Sequence, residues 1–188
     1  MANGKNTEYP EKKFPVPLLT KMALLTATAV VFSFIPGFPI IPAVGFIRYE
    51  FADLPVLIGV FAFGTLPGAG VAAASVFISY LVGAEGGGPW GALMHLIAIG
   101  TYALTAGAIY HFNKTRRGAI IGMIAGTAAM TLVMIPANLV ITPIYTRAPV
   151  EAVKSLLLPG IIPVNAAKGL ITAALTFVIY KRVSGYLH

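Results

Sequence analysis

The 188-residue chain is 57% hydrophobic and 10% charged, carries a formal net charge of +7 and has no cysteine. Soluble domains use about 25% charged residues, so too few polar side chains are present to cover a soluble surface. An ordinary cytosolic enzyme, a disordered chain and a disulfide-stapled secreted scaffold are excluded, as are zinc–thiolate sites and cysteine nucleophiles. The basic residues sit between apolar runs, which is the pattern of helix flanks in a lipid bilayer and not of a nucleic-acid-binding face.

A membrane-crossing helix needs about 17–25 predominantly apolar residues, and six such helices are expected. A polar, basic segment, residues 1–17, precedes the first, at 18–35. That run has a spanning length and no small-x-small cleavage site follows, so it is read as a retained helix and not a signal peptide. Pro36, Pro39 and Pro42 end it and open the loop PGFPIIPAVGFIRYE. The second helix, 53–64, is short. The third covers 68–82 and is followed by the turn GAEGGGP; the fourth covers 90–110 and is followed by the polar turn HFNKTRRG. The fifth covers 119–141, with Pro136 near its end. A loop with an amphipathic turn at 150–157 leads to the sixth, 163–183. The fold class is therefore an all-α integral membrane protein: an N-terminal segment, 1–17, and one compact six-helix bundle, 18–188.

The charges orient the bundle. Six crossings place both termini on one side, with Lys5, Lys12, Lys13, Lys21, Lys114, Arg116, Arg117, Lys181 and Arg182. The other side holds only Arg48, Arg147 and Lys154. Cytoplasmic segments carry the Lys/Arg excess, so the termini are expected in the cytoplasm.

Lys168 is left inside the sixth helix, about 7–8 Å deep at 1.5 Å per residue. An intramembrane lysine is costly and marks function, although its long stem also allows it to snorkel to the interface. Asn165, at i−3, shares its face. Asn138, flanked by Pro136 and Pro143, lies at the same outer depth in the fifth helix; taken alone it reads equally as an interhelical hydrogen bond. His95 shares that depth in the fourth helix, where a packing role competes with a ligand role. Asp53, followed by Pro55, reads as an N-cap.

Motifs for ATP hydrolysis (GxxxxGK[ST]), metalloproteolysis (HExxH) and serine hydrolysis (GxSxG) are missing from the sequence. No metal site is expected. The acids Glu50, Asp53, Glu85 and Glu151 fall in outer loops or at helix ends, so no membrane-embedded carboxylate for ion coupling is expected. Small residues mark close helix contacts. Ala23 and Ala27 form such a face on the first helix, facing either the bundle or a partner. Gly118, Gly122 and Gly126 form another on the fifth, read as internal packing.

Four segments together resemble a known family. YEFADLPVLIGVFAFG, GPWGALMHLI, PANLVITPIY and PVNAAKGLITAALTFVIYK look like the S components of energy-coupling-factor (ECF) vitamin transporters, most of all the riboflavin-specific branch. The resemblance covers nearly the whole chain. It implies six membrane helices with cytoplasmic termini in the bacterial or archaeal cell membrane. It also implies a riboflavin site near the outer face, formed by Asn138, Asn165 and Lys168; His95, at the same depth, and Tyr49 of the covering loop are added as candidate contacts. The loop between the first two helices departs from the family pattern, so contacts from Val44 to Tyr49 stay open. Ala23 and Ala27 match the face that docks the transmembrane T component, which works with two ABC-type ATPases. On this reading the chain is no enzyme and needs no cofactor, riboflavin being its cargo. The alternatives are an S component for flavin mononucleotide, with Lys168 or Arg48 at the phosphate, or for another vitamin, and a membrane enzyme or scaffold.

Overall fold

The computed structural model describes residues 15–42, 45 and 47–187, with the backbone only at 181 and 183–187. The segment 1–14, with Lys5, Lys12 and Lys13, and Val44 in the first loop lie outside the described residues.

The fold is mostly helical: α1 Val16–Ser33, α2 Asp53–Phe63, α3 Thr65–Leu81, α4 Gly88–Phe112, α5 Arg116–Thr146, α6 Val150–Leu156 and α7 Ile162–Leu187. Four helical stretches are long and apolar enough to cross a membrane: Val16–Ser33, Gly88–Phe112, Arg116–Thr146 and Val150–Tyr180. α2 and α3 are shorter apolar helices. Large apolar side chains such as Leu24, Val31, Leu81, Leu132, Val140 and Leu158 are exposed on the outer faces. Such extended apolar surface suits lipid and not water.

The proline-rich loop is not wholly irregular. β1 Phe38–Pro39 pairs antiparallel with β2 Arg48–Tyr49, with Phe38 opposite Tyr49. Gly37 is required there, because a Cβ would lie 2.5 Å from the Tyr49 carbonyl oxygen. Ile40, Ile41 and Ile47 pack on Val153, Ile161 and Val164, which fixes the loop against α6 and the start of α7.

Two helix boundaries differ from the sequence reading. α5 runs through Pro136 and Pro143 to Thr146. Transmembrane helices tolerate interior prolines where side chains re-satisfy the freed backbone groups. Pro136 and Pro143 leave the Leu132 and Leu139 carbonyls without their i+4 donors, while nearby Asn138 Nδ2 and Thr146 Oγ1 add side-chain bonds to the Met134 and Thr142 carbonyls at 2.8 and 2.6 Å. The segment before the sixth predicted helix is itself helical. α6 passes into α7 through a π turn, Leu157–Ile161, which absorbs Pro159 and Gly160. Wide single turns of this kind accommodate a break without ending a helix.

α2 and α3 form a hairpin joined by Gly64 alone, whose φ of 100° is open to glycine and strained for other residues. Gly68 lets the two helices touch; a Cβ there would lie 2.6 Å from Val60 Cα. Nine of the 11 residues of α2 are buried, so this short helix is the axis of the bundle.

The glycines of α5 serve two ends. Gly122 and Gly126 face α4: a Cβ at Gly122 would lie 2.8 Å from the Ala106 carbonyl oxygen, and one at Gly126 would enter the Tyr102 ring. Gly118 fits instead under the Asn113 carbonyl of the preceding turn. Gly122→Leu is therefore expected to lower the thermal midpoint and folded yield in detergent. Its side chain meets backbone that cannot rotate away, and overpacking of this kind costs about 1–3 kcal/mol. A midpoint equal to the parent's would show that α4 and α5 can separate freely.

Candidate functional site

A cavity of about 390 Å³ opens at one end of the bundle, within the size range of about 300–1,000 Å³ for small-molecule pockets. Asn138 from α5, Asn165 and Lys168 from α7 and His95 from α4 all line it, joined by Arg48 and Glu50 of the loop. Ile47, Met94, Ala98, Met134 and Tyr145 supply apolar wall. A smaller cavity of about 180 Å³ adjoins it and shares Arg48, Glu50, Gly86 and His95.

The helices fix the amides. Asn138 Nδ2 donates to the Met134 carbonyl and Asn165 Nδ2 to the Ile161 carbonyl, each at 2.8 Å and four residues back. Asn138 Oδ1 accepts from Thr142 at 3.0 Å. Asn165 Oδ1 has no protein partner among the described residues, so it keeps its acceptor capacity for the cavity it lines.

Lys168 does not snorkel. It is 6% exposed, and its Nζ lies 2.7 Å from Glu50 Oε2 and 3.5 Å from Asp53 Oδ2. Asp53 is not a cap either. The N-cap position belongs to Ala52, and no side-chain cap bond forms. The Asp53 carboxylate instead meets His95 Nε2 at 2.9 Å, while His95 Nδ1 meets Glu85 Oε1 at 2.9 Å. Both ring nitrogens thus face carboxylates, which accept and do not donate when ionised, so His95 is held as a doubly protonated imidazolium. Burial alone would raise the Glu50 carboxyl, but Lys168 and then His95 outweigh it and hold Glu50 below the usual carboxylate value.

The acids keep the loop and helix-end positions read from the sequence, yet the Asp53 and Glu85 side chains are both almost fully buried. Glu50, Glu85 and His95 also bring one potential ligand atom each within 4.8 Å of one another. Here those atoms are satisfied by each other and by Lys168 and Asp53.

Tyr49 lies apart from the cavity. It is fully buried behind β2, packed on Phe38 and edge-on to Phe51 with centroids 5.5 and 5.2 Å away. Side chains alternate along an extended strand, and its neighbours Arg48 and Glu50 are the residues that line the cavity. Tyr49 therefore supports the loop. Ala23 and Ala27 do not join the core: among the described residues α1 buries Leu25, Thr26 and Ala29, and both alanines are exposed on its outer face. Among the described residues, internal packing is thereby excluded for this pair.

The family model described as ECF transporter, substrate-specific component, matches residues 18–180. This chain belongs to that family. Among its relatives, the riboflavin transporter RibU of Staphylococcus aureus (strain TCH60) is 31% identical over 175 residues, 90% of this chain and 91% of the relative. The riboflavin transporter FmnP of Bacillus subtilis (strain 168) is 27% identical, covering 92% and 94%. A solved bacterial ECF transporter S component aligns with a TM-score of 0.78 at 30% identity, covering 90% of this chain and 96% of that one. The S component for biotin from an ECF-type ABC transporter shares the fold, with a TM-score of 0.58 at 19% identity over 88% and 92%.

In this S component the amides and the lysine singled out in the sequence line the larger cavity, while Glu50 and Glu85, which border the cavities as well, were not singled out. The available signal was the cost of a buried lysine, which demands a carboxylate partner, and the sequence already places Glu50 and Asp53 toward the same outer end as Lys168.

Proposed function

We propose that this S component binds riboflavin in the larger cavity and delivers it inward when docked on a T component driven by two ABC-type ATPases. The observation that carries the reading is the convergence of Asn138, Asn165 and Lys168, with an apolar wall opposite, in one cavity of a chain whose curated relatives are named riboflavin transporters. The isoalloxazine edge offers an N–H, carbonyl oxygens and ring nitrogens. Asn165 Oδ1 suits the N–H, while Lys168 has a third N–H beyond its two carboxylates to offer a carbonyl or a ribityl hydroxyl. The dimethylbenzene end suits Met94, Ala98 and Met134.

In the same reading the α2–α3 hairpin enters the membrane and completes six crossings, with both termini cytoplasmic and the cavity on the outer face. The described charges support this: Lys21, Lys114, Arg116, Arg117 and Arg182 lie toward one end, and Arg48, Arg147 and Lys154 toward the other. Ala23 and Ala27 form the face of α1 that meets the T component.

Purified protein is expected to quench riboflavin fluorescence at stoichiometric concentration, because a buried, stacked isoalloxazine loses emission. Asn165→Leu is expected to weaken binding roughly 5- to 150-fold, since it leaves a ligand donor unpaired at about 1–3 kcal/mol. Riboflavin binding no tighter than that of thiamine or biotin would overturn the assignment.

A further inference from the structure

We propose that Glu50 and Glu85 bring the charge of the cavity walls to zero, and so make the site select neutral riboflavin over its 5′-phosphate ester. This rests on the riboflavin reading and adds the residues that set its specificity. Three cationic groups surround the two cavities: Lys168, His95 and Arg48. Three carboxylates answer them: Glu50 on Lys168, Asp53 between Lys168 and His95, and Glu85 on His95. The sum is zero with His95 doubly protonated.

Taken alone, Lys168 and Arg48 make the cavity look suited to an anion. The pairings remove that suitability. The Lys168 and His95 charges are already matched at 2.7 and 2.9 Å by side chains of their own fold. Arg48 has no carboxylate partner among the described residues, but it stands exposed at the rim, where water screens it. A phosphate monoester brings a charge of about −1.5 to −2. In the cavity that charge would lose its water and meet three carboxylates together with cations already engaged. Discrimination of this kind comes from a group that penalises the wrong ligand and not from an added contact with the right one. The ribityl hydroxyls of riboflavin meet no such penalty, since carboxylates accept from hydroxyls.

The test is the ratio of dissociation constants for riboflavin 5′-phosphate and riboflavin, measured by fluorescence quenching at fixed ionic strength. The intact protein is expected to prefer riboflavin. Glu50→Gln and Glu85→Gln each keep the side-chain shape and remove one negative charge. Each is expected to lower the ratio about tenfold or more, the effect of one unit charge roughly 10 Å away at an effective dielectric of about 20. Glu151→Gln, on an exposed residue of α6 that meets Lys154 at 3.9 Å, is expected to leave it unchanged. The neutral riboflavin 5′-acetate ester, titrated on the parent, separates size from charge and is expected to bind much closer to riboflavin than the phosphate does. Rejection of the acetate as strong as that of the phosphate overturns the proposal, as does an unmoved ratio in both cavity variants or an equal shift in Glu151→Gln. If the parent binds neither flavin, the riboflavin reading itself fails. If it binds riboflavin while the ratio does not respond, only the charge proposal fails.

Discussion

Cells relying on Ala23→Trp or Ala27→Trp are expected to lose riboflavin uptake almost completely, while the purified variants keep the parent affinity for the vitamin. Both alanines are exposed, and the side chains that α1 buries are Leu25, Thr26 and Ala29. A tryptophan at either position therefore points away from the bundle and disturbs no core contact. In the proposed transporter it would stand between α1 and the T component, where small residues allow close backbone approach. Sequence alone left open that these alanines pack internally. In that case overpacking would cost about 1–3 kcal/mol and reduce folded yield and binding together. Uptake in whole cells and flavin titration of the purified variants are the two measurements. Parallel loss of both would remove α1 from the docking surface.

Lys168→Met is expected to lower stability and riboflavin binding at once, by the largest margin of any single substitution in the cavity. Its Nζ holds Glu50 at 2.7 Å and Asp53 at 3.5 Å. Glu50 can turn to water, but Asp53, 3% exposed, cannot. Removing one partner of a buried pair costs about 3–5 kcal/mol, because the other charge is left uncompensated. The double variant Lys168→Met with Asp53→Asn removes that charge too. It is expected to recover most of the thermal midpoint but not the affinity, which separates the structural work of Lys168 from its contact with the flavin. A single variant as stable as the parent would mean that the ion pairs contribute nothing. A double variant that also regains full affinity would mean that Lys168 does not touch the ligand.

Run length and proline spacing made most of the helices legible, since lipid demands long apolar segments with their backbone bonds satisfied internally. The common depth of Asn138, Asn165, Lys168 and His95 was legible for the same reason: helical rise converts sequence position into depth. Proline misled at α5 and at the π turn, because whether a break ends a helix depends on side chains and neighbours that can re-satisfy the backbone. The partners of the buried charges were the least legible. Lys168 meets Glu50 across 118 positions and His95 meets Asp53 across 42, and no local pattern encodes contacts at such separations. Asp53 followed by Pro55 carries every local mark of a cap, yet the tertiary partner claims its carboxylate. Tyr49 lies off the cavity lining while its neighbours Arg48 and Glu50 lie on it, because in an extended strand the choice between adjacent residues depends on register, which the loop sequence does not reveal.

The α2–α3 hairpin also bears on how the protein is made. α2 has 11 residues, about 16 Å of helix, against a hydrocarbon thickness of about 30 Å. It begins with a carboxylate and offers lipid almost no side of its own. Such a segment has little reason to partition into the bilayer by itself during synthesis. The hairpin starts and finishes at the same end of the bundle, since Asp53 at its head and Glu85 just past its tail both bond His95. In the proposed topology the orientation of α4, α5 and α7 is therefore the same whether or not the hairpin has gone in. The four long helices can be threaded first, and α2 can slide into the gap afterwards, with the closing of its charges on His95 and Lys168 marking the end of assembly.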